Sequence, residues 1–260
     1  MSTVPGSSDQ MTGRLRVEEQ FFDQFAAGET FRPARFYEWG LFRDAIESSR
    51  KSLGAVQGRQ LLEYGCGLGH DTVFFASAGA HVLTFDLSDG MIREVTELVM
   101  QKGLDHLVRL HKMSGEALAF SDQSVDLVYG RSIVHHLDLR LAGKEIHRVL
   151  REGGKAAFLE PLGHNPFINF VRKFTPSWRT PTEKPLTTSD LEIFVEPFSS
   201  ARVEGWCLLS LFALFFCYFL PSRRLFVFAV TRLGALDRWL LNRFPELWKF
   251  CWVAVIHLQK

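Results

Sequence analysis

The sequence holds few cysteines, and their spacing suits neither metal nor cross-link. Cys66, Cys207, Cys217 and Cys251 form no C-x-x-C pair, and no histidine stands at ligand spacing from them. Neither a zinc site nor a disulfide framework is indicated, so no metal is expected and a reducing, cytoplasmic setting fits. Net charge is nearly absent, with 30 Lys and Arg against 29 Asp and Glu, which excludes a chain adapted as a whole to polyanions; nucleic acid is not an expected partner. The N-terminus lacks the basic stretch and apolar core of a secretory signal, and residues 1–16 read as a disordered leader. An apolar run of the ~20 residues that cross a bilayer is also missing. The run from Leu208 to Leu220 is stopped by Pro221-Ser222-Arg223-Arg224.

What is present is enough apolar residue, 47% of 260, to bury one sizeable core. From Arg59 onward short apolar runs alternate with amphipathic stretches, the pattern of strand–helix–strand units and a parallel sheet. Strands are predicted at Leu61 to Tyr64, Ala80 to Phe85, Leu107 to Leu110, Val125 to Tyr129 and Lys155 to Leu159. Helices are predicted from His70 to Ala78, from Ser88 to Lys102 with Ser88 as cap, and from Leu141 to Leu150 ending near Gly153-Gly154. Residues 17–58 are rich in aromatics and predict a helical lid or plain core packing. Residues 161–200 are proline-punctuated loop, where function tends to sit.

The segment Glu63-Tyr64-Gly65-Cys66-Gly67-Leu68-Gly69 turns off a strand through three alternating glycines, which lets backbone approach a ligand closely. In a dinucleotide site the N–H groups of the next helix hold a pyrophosphate. Here the spacing is G-x-G-x-G, not G-x-G-x-x-G, and the acid Glu63 precedes the first glycine by two. A carboxylate there suits a cation and would repel a phosphate. Asp86, at the end of the second strand, can accept both hydroxyls of a ribose.

Four blocks, Leu62 to Gly69, Phe85 to Ser88, Gly115 to Phe120 with Asp126 to Val128, and Arg148 to Lys155, resemble in residues and order the class I S-adenosylmethionine-dependent methyltransferases of the type 11 group. The resemblance implies a Rossmann-like α/β sheet with helices on both faces and S-adenosylmethionine as cofactor. It implies that Gly65 to Gly69 meet the methionine moiety, Asp86 the ribose and Leu87 one adenine face, with Ser114 and Gly115 at the adenine edge. Many relatives carry Asp where Ser114 stands. Either Glu116 substitutes, or adenine is held by packing and backbone.

A methyl on sulfonium is already activated, so alignment in a dry pocket supplies much of the rate and a base is optional. Candidate bases at strand ends are His135, with His136 beside it, Glu160 and His164; Arg131 reads as a salt-bridge partner or an anchor for an anionic substrate.

The last two strands are expected to form an antiparallel pair, Ala201 to Cys207 and Cys251 to Leu258. Between them residues 208–248 form an apolar helical insertion: Leu208 to Leu220 as a helix hydrophobic all round, then Leu233 to Phe244 with arginines nearby. Residues 201–260 carry eight Lys and Arg against three Asp and Glu, an excess of five. The insertion is a packed hairpin, a substrate cap or a peripheral membrane contact. The last two imply a hydrophobic small-molecule or lipid-like acceptor. The rival readings are a non-catalytic scaffold of this fold docking on membranes, an NAD-dependent dehydrogenase, which the loop spacing opposes, and a protein or nucleic-acid methyltransferase, which the apolar insertion disfavours.

Overall fold

The computed structural model describes residues 7–28, 35–174, 180 and 182–260. Its strands are β1 (Gln60–Tyr64), β2 (His81–Asp86), β3 (Val108–Lys112), β4 (Val125–Arg131), β5 (Leu150–Pro161), β6 (Ser200–Trp206) and β7 (Val253–Gln259). They form one sheet in the order β3-β2-β1-β4-β5-β7-β6. The pairs among the first five strands of that order are parallel, and β7 runs antiparallel to both neighbours. The order reverses between β1 and β4, and such a switch point opens a ligand crevice outside the strand C-termini.

Helices α1 (Ser7–Ala26), α2 (Arg35–Glu38), α3 (Arg43–Ser52), α4 (His70–Ser77), α5 (Asp89–Gln101) and α6 (Leu139–Val149) flank the sheet, followed by α7 (Pro166–Phe174), α8 (Thr188–Val195), α9 (Phe215–Tyr218) and α10 (Arg223–Arg243). Local chemistry explains several boundaries. Ser88 caps α5 by accepting the Met91 N–H at 3.0 Å, and Asp138 caps α6. Helix α6 turns Ala142, Ile146 and Val149 onto the sheet at helical spacing. Among the described residues no helix is long and apolar enough to cross a membrane.

Several expectations need correcting. The leader assigned to residues 1–16 becomes helix from Ser7, and Asp23 on α1 binds the Ser88 hydroxyl at 2.6 Å and the Gly90 N–H at 3.0 Å, which fixes α1 on the start of α5. Helix α6 stops at Val149 rather than near Gly153-Gly154. Those glycines lie inside β5, where the register against β4 shifts and Gly153 takes a φ of 72°, so they accommodate a bulge. Loop region 161–200 contains α7 and α8, the latter closed by a capping box between Thr187 and Asp190.

The insertion departs most. Leu208 to Leu220 is not one helix: it leaves β6 through Cys207 at a φ of 63°, makes a short 3-10 turn over Ser210–Leu214 and only then α9. Buried Asp237 of α10 accepts the N–H groups of Leu208, Leu209 and Ser210 at 2.7–3.1 Å and the Ser210 hydroxyl at 2.7 Å. Those bonds set the turn and splay the apolar side chains to two sides. Phe36, Leu41 and Phe42 pack with Ala213, Leu214, Cys217 and Phe226 in one core, so Phe36 of α2 and Phe42 before α3 are core while Tyr37 is exposed. Those of α1 behave differently.

Candidate active site

At the switch point Gly65, Gly67 and Gly69 all adopt positive φ, at 82°, 46° and 74°. A Cβ on Gly67 would meet nothing within 4 Å; it would project into open cleft, which is space left for a ligand. Asp86 ends β2 across from this loop, its carboxylate accepting the Gly67 N–H at 3.2 Å and the Ser88 N–H at 3.0 Å. Burial raises its pKa above the usual carboxylate range against the pull of those N–H donors. Gly67, Asp86, Leu87, Gly115 and Ile133 line the resulting cleft, and Arg14, Glu18 and Phe22 of α1 cover it.

The acid before the glycines is fully enclosed. Glu63 accepts a hydrogen bond from the Thr72 hydroxyl at 2.5 Å, while burial and the neighbouring Asp71 push its pKa up to about 8. It borders a small polar niche with Gly65, Gly67, Asp71 and Arg131. Arg131 is spent on Asp71 at 2.7 Å, as is Arg50 at 2.6 Å, so Arg131 is a salt-bridge partner. The folded state holds the Glu63 proton between its unfolded value of 4.5 and about 8, so the protein loses stability as pH rises through that window. Glu63→Gln keeps an acceptor for Thr72 and has no charge to bury. It should melt higher than wild type at pH 8, by about 2–4 kcal/mol, with the gain vanishing toward pH 4.5; parallel pH-dependent melting curves would expose the error if the gain is flat.

At the adenine edge the sequence left two possibilities. Ser114 accepts the Glu116 N–H at 3.2 Å. One Glu116 oxygen takes the Asp138 N–H at 2.5 Å and an Arg14 contact, and the other, Oε2, is buried without a hydrogen-bond partner. The Ser114 hydroxyl keeps hydrogen-bonding capacity of its own, Glu116 Oε2 is a buried acceptor left over, and of this segment only Gly115 lines the cleft.

Beyond the cleft lies a cavity of about 870 Å³. Its walls are apolar: Phe21, Phe22 and Phe25 of α1, Phe36, Tyr37 and Phe42, Phe167 of α7, Leu214 to Phe219 in part, and Trp252. Its polar lining is His135, His136, Glu183, Thr180, Arg131, Ser132 and Arg172. Phe22, Arg131, Ser132 and His136 line both this chamber and the cofactor-side cleft, so the two spaces share a wall. Ser132 holds that wall at a φ of 55°, a left-handed conformation uncommon for serine and concentrated at working sites. Nothing in the sequence marks Ser132 beyond its place after β4.

The four candidate bases separate. His135 Nδ1 lies 2.6 Å from Glu160, whose other oxygen accepts the N–H groups of Ile133 and Val134 at 2.9 and 3.1 Å. Glu160 is wholly buried and holds the imidazole in place. Burial, then the charge of His136, lowers the His135 pKa. For His136 burial works the same way, but the bond and charge of Glu18, 3.1 Å from Nδ1, outweigh it and raise the pKa. His164 is a correction: its Nε2 accepts the Thr188 N–H at 3.1 Å and contacts its hydroxyl at 3.0 Å, and it does not line the chamber. It fixes the start of α8. Glu18, which also binds Thr180, was missed because its segment had no readable partner in sequence.

A methyltransferase-domain family profile matches residues 62–158. The chain is 32% identical over 154 residues to the sterol 24-C-methyltransferase of Aspergillus fumigatus, covering 56% of this chain and 40% of that protein. It is 34% identical over 119 residues to the malonyl-[acyl-carrier protein] O-methyltransferase of Pseudescherichia vulneris, 45% of each chain. The chain thus spans less than half the length of these relatives. Among solved structures, the geranyl diphosphate C-methyltransferase of Streptomyces coelicolor A3(2), in complex with Mg2+, geranyl diphosphate and S-adenosyl-L-homocysteine, superposes with a TM-score of 0.62 at 12% identity, over 95% of this chain and 96% of that one. That likeness reports the fold. With the glycine loop and Asp86 at the switch point, these matches identify residues 62–158 as a methyltransferase domain similar to those of the class I S-adenosylmethionine-dependent enzymes.

Proposed function

We propose that the protein transfers a methyl group from S-adenosylmethionine to a hydrophobic small molecule with one polar, nucleophilic end. The observation that carries this is the chamber of about 870 Å³, mostly apolar, with a minority of polar lining residues, and sharing Phe22, Arg131, Ser132 and His136 with the cofactor cleft. A volume of this order suits a lipid-like or terpenoid-sized guest. Of the relatives' named acceptors, a sterol and malonyl-[acyl-carrier protein], the sterol is of this class.

The cofactor supplies an activated methyl on a sulfonium centre. Gly65 and Gly67 leave room for its amino-acid end beside Glu63, Asp86 accepts the ribose hydroxyls, Leu87 packs on adenine, and Glu116 Oε2 accepts the adenine amino group beside Ser114 and Gly115. Phe22 and Phe25 present apolar surface to the chamber. His135, neutral because burial depresses its pKa, offers Nε2 to the acceptor's proton while Glu160 keeps the other ring nitrogen occupied and stabilises the imidazolium that results. This assignment suits oxygen and carbon acceptors, whose methylation releases a proton.

The test is calorimetry with S-adenosylhomocysteine, followed by incubation of lipid and metabolite extracts with methyl-labelled cofactor. Binding, and label recovered in an organic-extractable product, is the expected result. No binding by the wild-type chain would overturn the enzyme reading, and label only in protein or water-soluble products would overturn the acceptor class.

A further inference from the structure

The apolar chamber does not close where it meets solvent. Phe215, Tyr218 and Phe219 line it and are also exposed, Phe219 by 79%. Beside them Phe167 of α7 touches Phe212, ring centres 5.3 Å apart, and further along α7 Phe174 is 71% exposed. Pro221 and Ser222 then lead straight into α10. On that helix Phe228, Arg232, Ala235, Trp239 and Arg243, all exposed, fall at i, i+4, i+7, i+11 and i+15 and share one outward stripe.

The charge on α10 is one-sided. It carries five arginines, Arg223, Arg224, Arg232, Arg238 and Arg243. Its one acid, Asp237, is buried and occupied by the backbone N–H groups of Leu208, Leu209 and Ser210. Of the five, Arg238 lies 3.9 Å from Asp44; Arg232 and Arg243 lie over the rings of Phe228 and Phe244. Aromatic rings interleaved with guanidinium groups along a helix face suit the headgroup region of an anionic bilayer, where rings enter the acyl boundary and cations meet lipid phosphates. A second copy of the chain is disfavoured as occupant, because a two-fold contact would set the arginines of one stripe against those of the other.

We infer that α10, with the aromatic tip formed by α7 and α9, docks on an anionic membrane surface and turns the mouth of the acceptor chamber toward the lipid. The inference rests on the hydrophobic-acceptor reading and adds where the acceptor is collected: it enters from the bilayer without crossing water.

Flotation with vesicles of phosphatidylcholine alone and of phosphatidylcholine mixed with phosphatidylglycerol tests this on the full chain. Wild type is expected in the lipid fraction of the mixed vesicles, and high salt should release it. Each basic residue at an anionic surface contributes about five-fold in partitioning, so Arg224→Glu with Arg232→Glu should lower it by roughly 30-fold or more. Trp239→Ser should lower it several-fold. S-adenosylhomocysteine binding measured on both variants serves as the folding control and should match wild type. Wild type that binds S-adenosylhomocysteine but stays out of the mixed vesicles overturns docking and leaves the enzyme reading standing. Variants that float like wild type, or a wild-type dimer in sedimentation that Trp239→Ser dissociates, overturn docking as well. A chain that floats but binds no S-adenosylhomocysteine overturns the enzyme reading instead.

Discussion

Asp86→Ala is expected to weaken S-adenosylhomocysteine binding by roughly 100-fold or more, measured by calorimetry. A carboxylate accepting two ribose hydroxyls makes two charge-assisted hydrogen bonds, each worth about 1.5–3 kcal/mol, and alanine removes both. It also leaves the N–H groups of Gly67 and Ser88 without the acceptor they have now, so the glycine loop should lose its set as well as its ligand. Asp86→Asn separates these effects. An amide oxygen still accepts one N–H and one hydroxyl, so the loop should hold and affinity should fall by about ten-fold. If Asp86 served only the loop, alanine would lower the melting temperature and affinity would recover in the asparagine variant. Wild-type affinity in both variants would remove Asp86 from the cofactor site.

The frame of this site was readable because it depends on backbone. Strand alternation placed β1, β2 and β4 within a residue or two, and the sheet then carries Glu63, Asp86 and Arg131 to neighbouring strand ends. The glycine loop needs no tertiary partner to show its conformational demand. What sequence could not show was what each polar side chain spends itself on. His164 and His135 looked alike, yet one is held by Thr188 and the other by Glu160. Both partners lie more than twenty residues away, so neither pairing shows in the local sequence. The same blindness hid Glu18, which joins α1 to His136 across more than a hundred residues. The apolar run at Leu208 to Leu220 misled for a related reason: its composition gave one helix apolar all round, but Asp237, on a later helix, gathers its first N–H groups and a 3-10 segment forms, with Phe212, Phe215, Tyr218 and Phe219 exposed.

The second large effect is expected at His135. His135→Gln should lower kcat by about 10²–10⁴-fold, leaving S-adenosylhomocysteine affinity unchanged and acceptor KM close to wild type, because the chamber walls stay in place. The pH profile carries a second signature. Burial and His136 depress the His135 pKa below the ordinary imidazole value of 6.5, so kcat in the wild type should stay flat through neutrality and fall only on acidification below it, as the base becomes protonated. Glu160→Gln should act in the same direction more weakly. The amide can still accept from Ile133 or Val134, but it brings no charge to stabilise the imidazolium, and a larger share of the loss should appear as a shift of the acidic limb. A purely structural role for the pair would instead move KM and stability together without moving that limb. Retention of wild-type kcat in His135→Gln would assign the reaction to an acceptor that needs no base, such as a neutral amine, and leave alignment across the wall of Phe22, Ser132 and His136 as the chain's whole contribution to the chemical step.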